Sequence, residues 1–146
     1  MKSIIWFRND LRLDDNPSLR EACKNSSEVH AIFLYSHEQL KKHNEANVKI
    51  DFLINNLQCL TVKLQKLNIP LTIINSEGFE QDPETILNLA KERNVEKIFI
   101  NKQFGNDEQD RDKRVQELLN AAAIKTEFFN DQIVYEAGSI RTGQDK

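Results

Sequence analysis

The stretch that decides the fold is WFRNDLRLDDNPSL, residues Trp6–Leu19. It continues a short apolar run, Ser3–Phe7, whose isoleucines and aromatics predict a buried β-strand. The charged turn Arg8–Asp15 follows and holds two arginines and three aspartates. Because charge beside a buried strand is costly unless it is paired and hydrogen-bonded, this turn indicates a structural lock. Asn16 and Pro17 then predict a helix start, with Asn as the N-cap and Pro at the first helical position.

The composition is that of one soluble domain. The chain has 146 residues, of which 39% are hydrophobic and 29% charged, enough for a full core. No apolar run reaches the roughly 20 residues that cross a bilayer, and the polar residues that begin at Arg8 exclude a signal-peptide core. We therefore expect a cytoplasmic protein without a membrane partner. The net charge of −3 argues against strong direct DNA binding, which needs a concentrated basic patch.

Cysteine and histidine usage predicts neither a metal site nor a hydrolytic site. Cys23 and Cys59 fall on predicted helices without ligand-like neighbours, so we expect reduced, half-buried thiols. His30 lies inside a predicted strand and is interpreted as a core or edge residue. His37 and His43 lie in the loop that follows it, with no metal spacing to Cys or carboxylates. We assign no catalytic and no metal-binding residue.

Strand and helix signals alternate along the chain. The predicted strands are Ser3–Phe7, Val29–Tyr35, Leu71–Ile74, Val95–Ile100 and Glu127–Phe129. The predicted helices are Asn16–Asn25, Val48–Leu67, Asp82–Asn94 and Asp107–Ala123. In the longest helix, apolar residues recur at steps of three and four, which predicts one face packed on the core. The alternation predicts an α/β fold: a doubly wound, Rossmann-like five-stranded parallel sheet with helices on both faces.

The chain lacks the usual glycine loops for phosphates. Its glycines, Gly78, Gly105, Gly138 and Gly143, form neither GxGxxG nor a Walker loop. A ligand is instead expected in the crevice at the carboxyl ends of the strands. After the fourth strand, the run NKQFGNDEQDRD, residues Asn101–Asp112, opens a helix. Its first carboxylates complement the helix dipole, and helical spacing allows the arginine near its end to pair with one of them.

The opening run closely resembles the W-F-R-x-D-L-R-x-x-D-N-x-A-L motif of DNA photolyases and cryptochromes, with Ser18 at the position where alanine is usual. The resemblance extends over essentially the whole chain and is greatest to cyclobutane pyrimidine dimer photolyases with a folate antenna. It implies an N-terminal α/β antenna domain at residues 1–130. Residues 131–146 resemble the start of the interdomain linker, and the FAD-binding helical domain falls outside this chain.

The resemblance also implies a site for methenyltetrahydrofolate. The run after the fourth strand resembles N-x-x-[YF]-x-x-x-E-x-x-R-D, whose glutamate and preceding residue hold the pterin. Glu108 occupies the glutamate position, and Asp107 stands where Asn is frequent; Asn106 next to it can supply the amide. A carboxylate suits this role because a pterin presents an N–H and an amino group side by side. Lys42–Glu45, KHNE, resembles the loop in which a histidine touches the folate, which adds His43.

The function implied for the parent is light-driven repair of pyrimidine dimers in DNA. In the family, the antenna passes excitation to reduced FAD, which donates an electron to the dimer. FAD and the groove for damaged DNA belong to the helical domain, so we expect this chain alone to be a monomeric, inactive antenna domain. Arg8, Asp10 and Arg12 are interpreted as turn and interdomain anchors, and Trp6 as core. The alternatives are a cryptochrome photoreceptor domain and a non-catalytic nucleotide-binding α/β module.

Overall fold

The computed structural model describes residues 1–36, 40 and 46–132. The strands in these ranges are β1 (Lys2–Phe7), β2 (Glu28–Tyr35), β3 (Leu71–Asn75), β4 (Lys97–Asn101) and β5 (Lys125–Phe129). The helices described over more than a single residue are α1 (Pro17–Asn25), α2 (Asn47–Gln65), α3 (Asp82–Glu92) and α4 (Asn106–Ala121). Within the same ranges, no helix combines the length and apolar character that a membrane crossing requires.

The strands form one parallel sheet in the order β3-β2-β1-β4-β5. The chain moves outward from β1 to β3 and then crosses to the other side of β1 for β4 and β5. Helices α1 and α2 therefore cover one face of the sheet, and α3 and α4 cover the other. The arrangement confirms the predicted doubly wound, Rossmann-like α/β fold with a five-stranded parallel sheet.

The central strand β1 is buried on both faces. Ile5 and Phe7 pack in the layer that contains α1 and α2, whereas Ile4 and Trp6 pack in the layer that contains α3 and α4. Successive side chains of a strand point to opposite faces, so both layers draw their core from one short apolar run. This burial explains why the run reads as continuously hydrophobic rather than alternating.

The ends of some elements differ from the predictions. Strand β5 begins at Lys125 rather than at Glu127, and α2 ends at Gln65. Leu67, which was predicted to continue the apolar face of that helix, is 52% exposed because the helix has already ended. The face itself packs as predicted through its central leucines.

Both cysteines are free and exposed, so the prediction that they are half-buried is wrong. Cys23 follows the buried Ala22, and Cys59 precedes the buried Leu60. A step of one residue turns a side chain by about 100° around the helix axis, which is enough to move it from core to solvent. His30 is half-buried within β2, in agreement with an edge or core position.

Candidate functional site

The charged turn after β1 is anchored by a buried ion pair. Arg8 is 7% exposed, and its Nη1 donates to both carboxylate oxygens of Asp112 at 2.5 and 2.7 Å. Its Nη2 donates to the backbone carbonyl of Asn101. Asp10 accepts a hydrogen bond from the backbone N–H of Arg8 at 2.8 Å. One arginine thus joins the ends of β1 and β4 to α4.

Asn101, at the end of β4, connects this ion pair to the start of α1. Its Nδ2 donates to Asp10 Oδ2 at 2.6 Å and to Asn16 Oδ1 at 2.8 Å. Its Oδ1 accepts from the backbone N–H of Ser18 at 3.2 Å, and the Ser18 hydroxyl donates to Asn16 Oδ1. Asn16 also caps α1 by accepting from the backbone N–H of Leu19 at 3.2 Å. The predicted N-cap and the predicted structural lock are both confirmed.

We call this buried cluster the polar lock. Its members are Arg8, Asp10, Asn16, Ser18, Asn101 and Asp112. It joins two neighbouring strands and two helices that lie on opposite faces of the sheet. The strand order reverses between β1 and β4. The lock therefore lies beside the position where doubly wound sheets bind ligands, and it holds the strand ends there in place.

Arg12 has a different role from Arg8. Its side chain is 42% exposed, and both of its terminal nitrogens donate to the carboxylate of Asp131, Nη1 at 3.1 Å. It also donates to the backbone carbonyls of Asp14 at 3.1 Å and Asp15 at 2.8 Å. Arg12 therefore ties the opening turn to the segment that follows β5.

A cleft of about 460 Å³ opens beside the lock, at the carboxyl ends of the strands. It is formed by the ends of β1 and β2, by residues that follow β3 and β4, and by parts of the helices around them. Its lining residues are Trp6–Asn9, Phe33–Ser36, Leu40, Leu53, Ser76, Phe79, Asp82, Gln103, Glu108 and Arg111. The cleft thus lies at the edge where a doubly wound sheet is expected to bind its ligand.

Arg111 lies between two aromatic rings in this cleft. Its guanidinium carbon is 4.7 Å from the ring centroid of Trp6 and 4.3 Å from that of Phe79, within the range of cation–π contacts. Its Nη2 donates to Gln103 Oε1 at 2.8 Å, and Nε and Nη2 both donate to Asp112 Oδ1. Burial, and then the charge of the nearby lock arginine, lower the pKa of Arg111 from its ordinary value.

The pairing suggested for Arg111 by helical spacing is therefore wrong. Asp107 is exposed and Glu108 is half-buried, and neither carboxylate forms an ion pair with Arg111 in the described part of the chain. Arg111 instead lies on the buried side of α4, 6% exposed, and reaches the carboxylates of Asp112 and Asp82. Tertiary packing outweighs a surface pair that is worth only a few tenths of a kcal/mol.

Asp82, the first residue of α3, is a second buried charge in the cleft. It is 3% exposed, and its Oδ1 accepts a hydrogen bond from the hydroxyl of Ser76. Its Oδ2 lies 3.9 Å from Arg111 Nη1. Burial raises the pKa of Asp82 above its ordinary value, which the hydrogen bond from Ser76 only partly opposes.

Of the four predicted chromophore residues, the structure brings one to the cleft. Glu108 is half-buried and lines the cleft, and its carboxylate lies so close to Gly105 that a Cβ there would overlap it. Asn106 and Asp107 are exposed and are not among the lining residues. His43 lies outside the described residues. Their roles toward a chromophore stay predictions.

Sequence patterns did not identify the floor of the cleft, by which we mean Ser76, Phe79, Asp82 and Arg111. The run Asp82–Glu84 indicated a helix start, and helical spacing suggested a pairing of Arg111 with Asp107 or Glu108. Ser76 and Phe79 carried no signal, because neither belongs to a motif or to a periodic face. Only the packing of α3 against α4 brings these side chains together. In the described ranges, no group of three or more His, Cys, Asp and Glu side chains is placed to hold a metal ion.

Comparison with known proteins finds related sequences along the whole chain. The family model for DNA photolyase matches residues 3–146. A deoxyribodipyrimidine photo-lyase from Vibrio cholerae is 33% identical over 97% of this chain. That alignment covers 30% of the relative, so the chain spans about a third of the length of this curated relative.

Solved structures share the fold. A cryptochrome from Synechocystis aligns with a TM-score of 0.79 and 25% identity, over 88% of this chain and 27% of that one. A photolyase from Sulfolobus tokodaii, solved with two FAD molecules, aligns with a TM-score of 0.82 over 97% of this chain and 32% of that one. At 22% identity, the second likeness concerns the fold alone.

Proposed function

The chain belongs to the DNA photolyase family, and from that premise we propose that it is the antenna domain of a deoxyribodipyrimidine photolyase, with a planar light-absorbing cofactor in its cleft. The family match covers residues 3–146 and supports the assignment to the N-terminal α/β domain. The curated relatives extend well beyond this region, so light-driven repair itself is proposed for the parent and not for this chain.

The observation that carries the proposal is the fit between the cleft and a heteroaromatic ring. A volume of about 460 Å³ falls within the ~300–1,000 Å³ of small-molecule sites. Phe33, Leu34 and Leu53 supply apolar and aromatic surface, while Asp82 and Arg111 supply an acceptor and a donor. A flat ring with polar groups along one edge would match this lining, with its faces against the apolar side chains and its polar edge toward Asp82 and Arg111.

For the cofactor we propose methenyltetrahydrofolate, with Glu108 as the acceptor for the donors of the pterin. Glu108 is the predicted residue that reaches the cleft. Asp107 and Asn106 are exposed at the start of the same helix, so a folate that contacts all three residues lies across the mouth of the cleft. The role of His43 is proposed from the sequence resemblance alone.

The partners and the boundary of the domain are also proposals. We assign FAD and the contacts with damaged DNA to the rest of a monomeric, cytoplasmic parent, and we expect this acidic chain to bind DNA weakly or not at all. We take residues 1–130 as the antenna domain and residues 131–146 as the start of its linker. The pairing of Arg12 with Asp131 supports a fixed exit point for that linker. The same domain occurs in a cryptochrome, so the choice between repair and signalling belongs to the rest of the parent.

The test of the folate assignment is Glu108→Ala. The purified chain is titrated with methenyltetrahydrofolate, and the bound fraction is followed by its absorption band. Loss of a charge-assisted contact of about 1.5–3 kcal/mol should weaken binding roughly ten- to a hundredfold. Glu117→Ala, at an exposed position of the same helix, is the matched control and should bind like the wild type. Unchanged affinity in Glu108→Ala would leave Glu108 as a helix-start carboxylate only.

A further inference from the structure

The exposed apolar side chains of the chain are concentrated on one side of the molecule. Apart from Met1, the large hydrophobic residues that stay exposed in the described ranges all lie on α2, on β3 or in the turn between them. They are Val48, Phe52, Ile54, Val62, Leu67 and Ile73. Single exposed apolar residues need no explanation, whereas a group of them on neighbouring elements indicates an interaction surface.

Strand β3 has an open edge on this side. It is the last strand of the sheet, and no strand of the described ranges pairs with its outer side. On its inner side, the backbone N–H of Ala31 donates to the carbonyl of Pro70 at 2.8 Å. Since the backbone groups of successive residues in a strand point to opposite sides, those of Leu71, Ile73 and Asn75 point away from the sheet.

The two outer strands of the sheet differ in how they are protected against further pairing. β5 carries Lys125 and Glu127, and charged side chains are a common means of keeping an edge strand from pairing. β3, LTIIN, carries no charge, and its central residue Ile73 is 50% exposed. The edge of β3 is therefore available for an additional strand.

Helix α2 packs against β3 and carries an exposed stripe beside the open edge. Residues at steps of three and four share one face of a helix. Five exposed residues follow these steps: Asp51, Ile54, Gln58, Val62 and Lys66. The right-handed crossover from β2 to β3 places this face on the open side of β3. The stripe is acidic near the amino end of α2, apolar on both sides of its centre and basic at the C-cap.

We propose that the open edge of β3 and this stripe of α2 form the interface of a two-fold symmetric homodimer. The two β3 strands pair antiparallel, with Ile73 opposite its own copy, and the sheet continues across the dimer. A crossover helix runs antiparallel to the strands that it connects, so the two α2 helices pair antiparallel as well. Asp51 of each copy then meets Lys66 of the other copy, and Ile54 meets Val62.

A second copy fits this surface because the surface is complementary to itself. Reading the stripe backward exchanges its acidic and basic ends and leaves apolar residues opposite apolar ones. A two-fold interface requires such complementarity, since every contact in it occurs twice. A foreign peptide added to β3 would use the backbone edge but would leave Ile54 and Val62 exposed.

The inference goes beyond the proposed function and does not depend on it, because it concerns the outer edge of the sheet and not a cofactor. For this chain, it departs from the monomer that the sequence resemblance implies.

The first experiment measures the mass of the purified chain by sedimentation velocity at concentrations up to about 500 μM, where we expect twice the mass of one chain. Ile73→Lys places two like charges opposite each other in the paired strands and should raise the dimer Kd about tenfold or more. Glu117→Gln, at an exposed position of α4, changes the net charge by the same amount and should dimerise like the wild type.

The second experiment tests the pairing of the helices by exchanging charges. Asp51→Lys and Lys66→Asp each bring like charges together at both ends of the helix pair. Each variant alone should therefore dimerise about tenfold more weakly than the wild type. When the two variants are mixed, opposite charges meet again, and a heterodimer of about wild-type affinity should form. Recovered association would also show that both variants are folded.

Each outcome bears on one part of the proposal. A wild-type chain that stays monomeric at every concentration overturns the homodimer. A dimer that persists in Ile73→Lys overturns the pairing of the β3 edges. Charge variants that dimerise as well as the wild type, or that do not recover when mixed, overturn the antiparallel pairing of α2. The folate titration is independent of these results, so failure of the dimer and failure of the antenna assignment are distinguishable.

Discussion

The polar lock and the cleft floor are neighbouring clusters of buried charge that differ in how completely they are hydrogen-bonded. In the lock, Arg8 and Asn101 engage carboxylate, amide and backbone groups from the turn after β1, the end of β4, the N-cap of α1 and α4. Within the lock, Arg8 Nε is buried without a hydrogen-bond partner among the described residues. On the floor, Arg111 Nη1 and Asp82 Oδ2 face each other across 3.9 Å, an ion pair that is too long for a hydrogen bond and lies in the lining of the cleft.

The difference separates groups that stabilise the fold from groups available for binding. A satisfied buried network makes one arrangement of strands and helices specific, whereas an incompletely satisfied one is costly unless something else binds it. Asp112 belongs to both regions, because it accepts hydrogen bonds from Arg8 and from Arg111. The lock therefore also positions the guanidinium that faces the cleft.

The largest effect is expected from Asp112→Ala. The substitution leaves two buried arginines, Arg8 and Arg111, without their main counter-charge, and removing one partner of a buried pair costs about 3–5 kcal/mol. The free energy of unfolding in urea measures the loss. Asp110→Ala, at an exposed position of the same helix, should change it by less than about 0.5 kcal/mol. A loss below about 1 kcal/mol for Asp112→Ala would show that the lock is not a stabilising centre.

A smaller effect, dependent on pH, is expected at Asp82. Burial raises the pKa of Asp82 above the ordinary 3.8. The folded state therefore binds a proton at this carboxyl more tightly than the unfolded chain does, so protonation stabilises the fold. This contribution is complete below the pKa of the unfolded chain and is lost as the pH rises through the folded-state pKa. Relative to Asp82→Asn, the wild type should therefore lose stability as the pH rises above about 4.

Unfolding free energies of both proteins, measured in urea between about pH 3 and pH 7, test this sign. The effect should be smaller than that of Asp112→Ala, because the asparagine is isosteric and keeps the bond from Ser76. A stability difference that stays constant with pH, or that changes in the opposite direction, would contradict an Asp82 carboxyl that is destabilised by burial.

The smallest effect on stability is expected from Gly105→Ala. The residue has an ordinary φ of −64°, and the atoms that a Cβ would overlap belong to the flexible carboxylate of Glu108. Displacing that side chain should change the unfolding free energy by less than about 0.5 kcal/mol. Folate affinity should fall by less than in Glu108→Ala, because the carboxylate is moved and not removed. A large loss of stability would show that Glu108 is held rigidly and belongs with the lock.

The local features of the fold could be predicted from sequence because their causes are local. The run Ser3–Phe7 is continuously apolar, which is typical of a strand buried on both faces. Asn16 and Pro17 mark the start of α1 through their own chemistry. The exposure of Cys59 and the end of α2 before Leu67 were not predicted, because a shift of one or two residues turns a side chain from core to solvent.

For the site, sequence resemblance predicted Glu108, which lines the cleft, whereas the cleft floor required the structure. The sequence by itself determined the alternation of strands and helices, the lock motif and the family. The tertiary structure alone decided that Arg111 reaches Asp82 and Asp112 rather than Asp107 or Glu108. Spacing along a chain predicts only neighbours within one element, while contacts between α3 and α4 follow from the strand order and from the face that each helix covers.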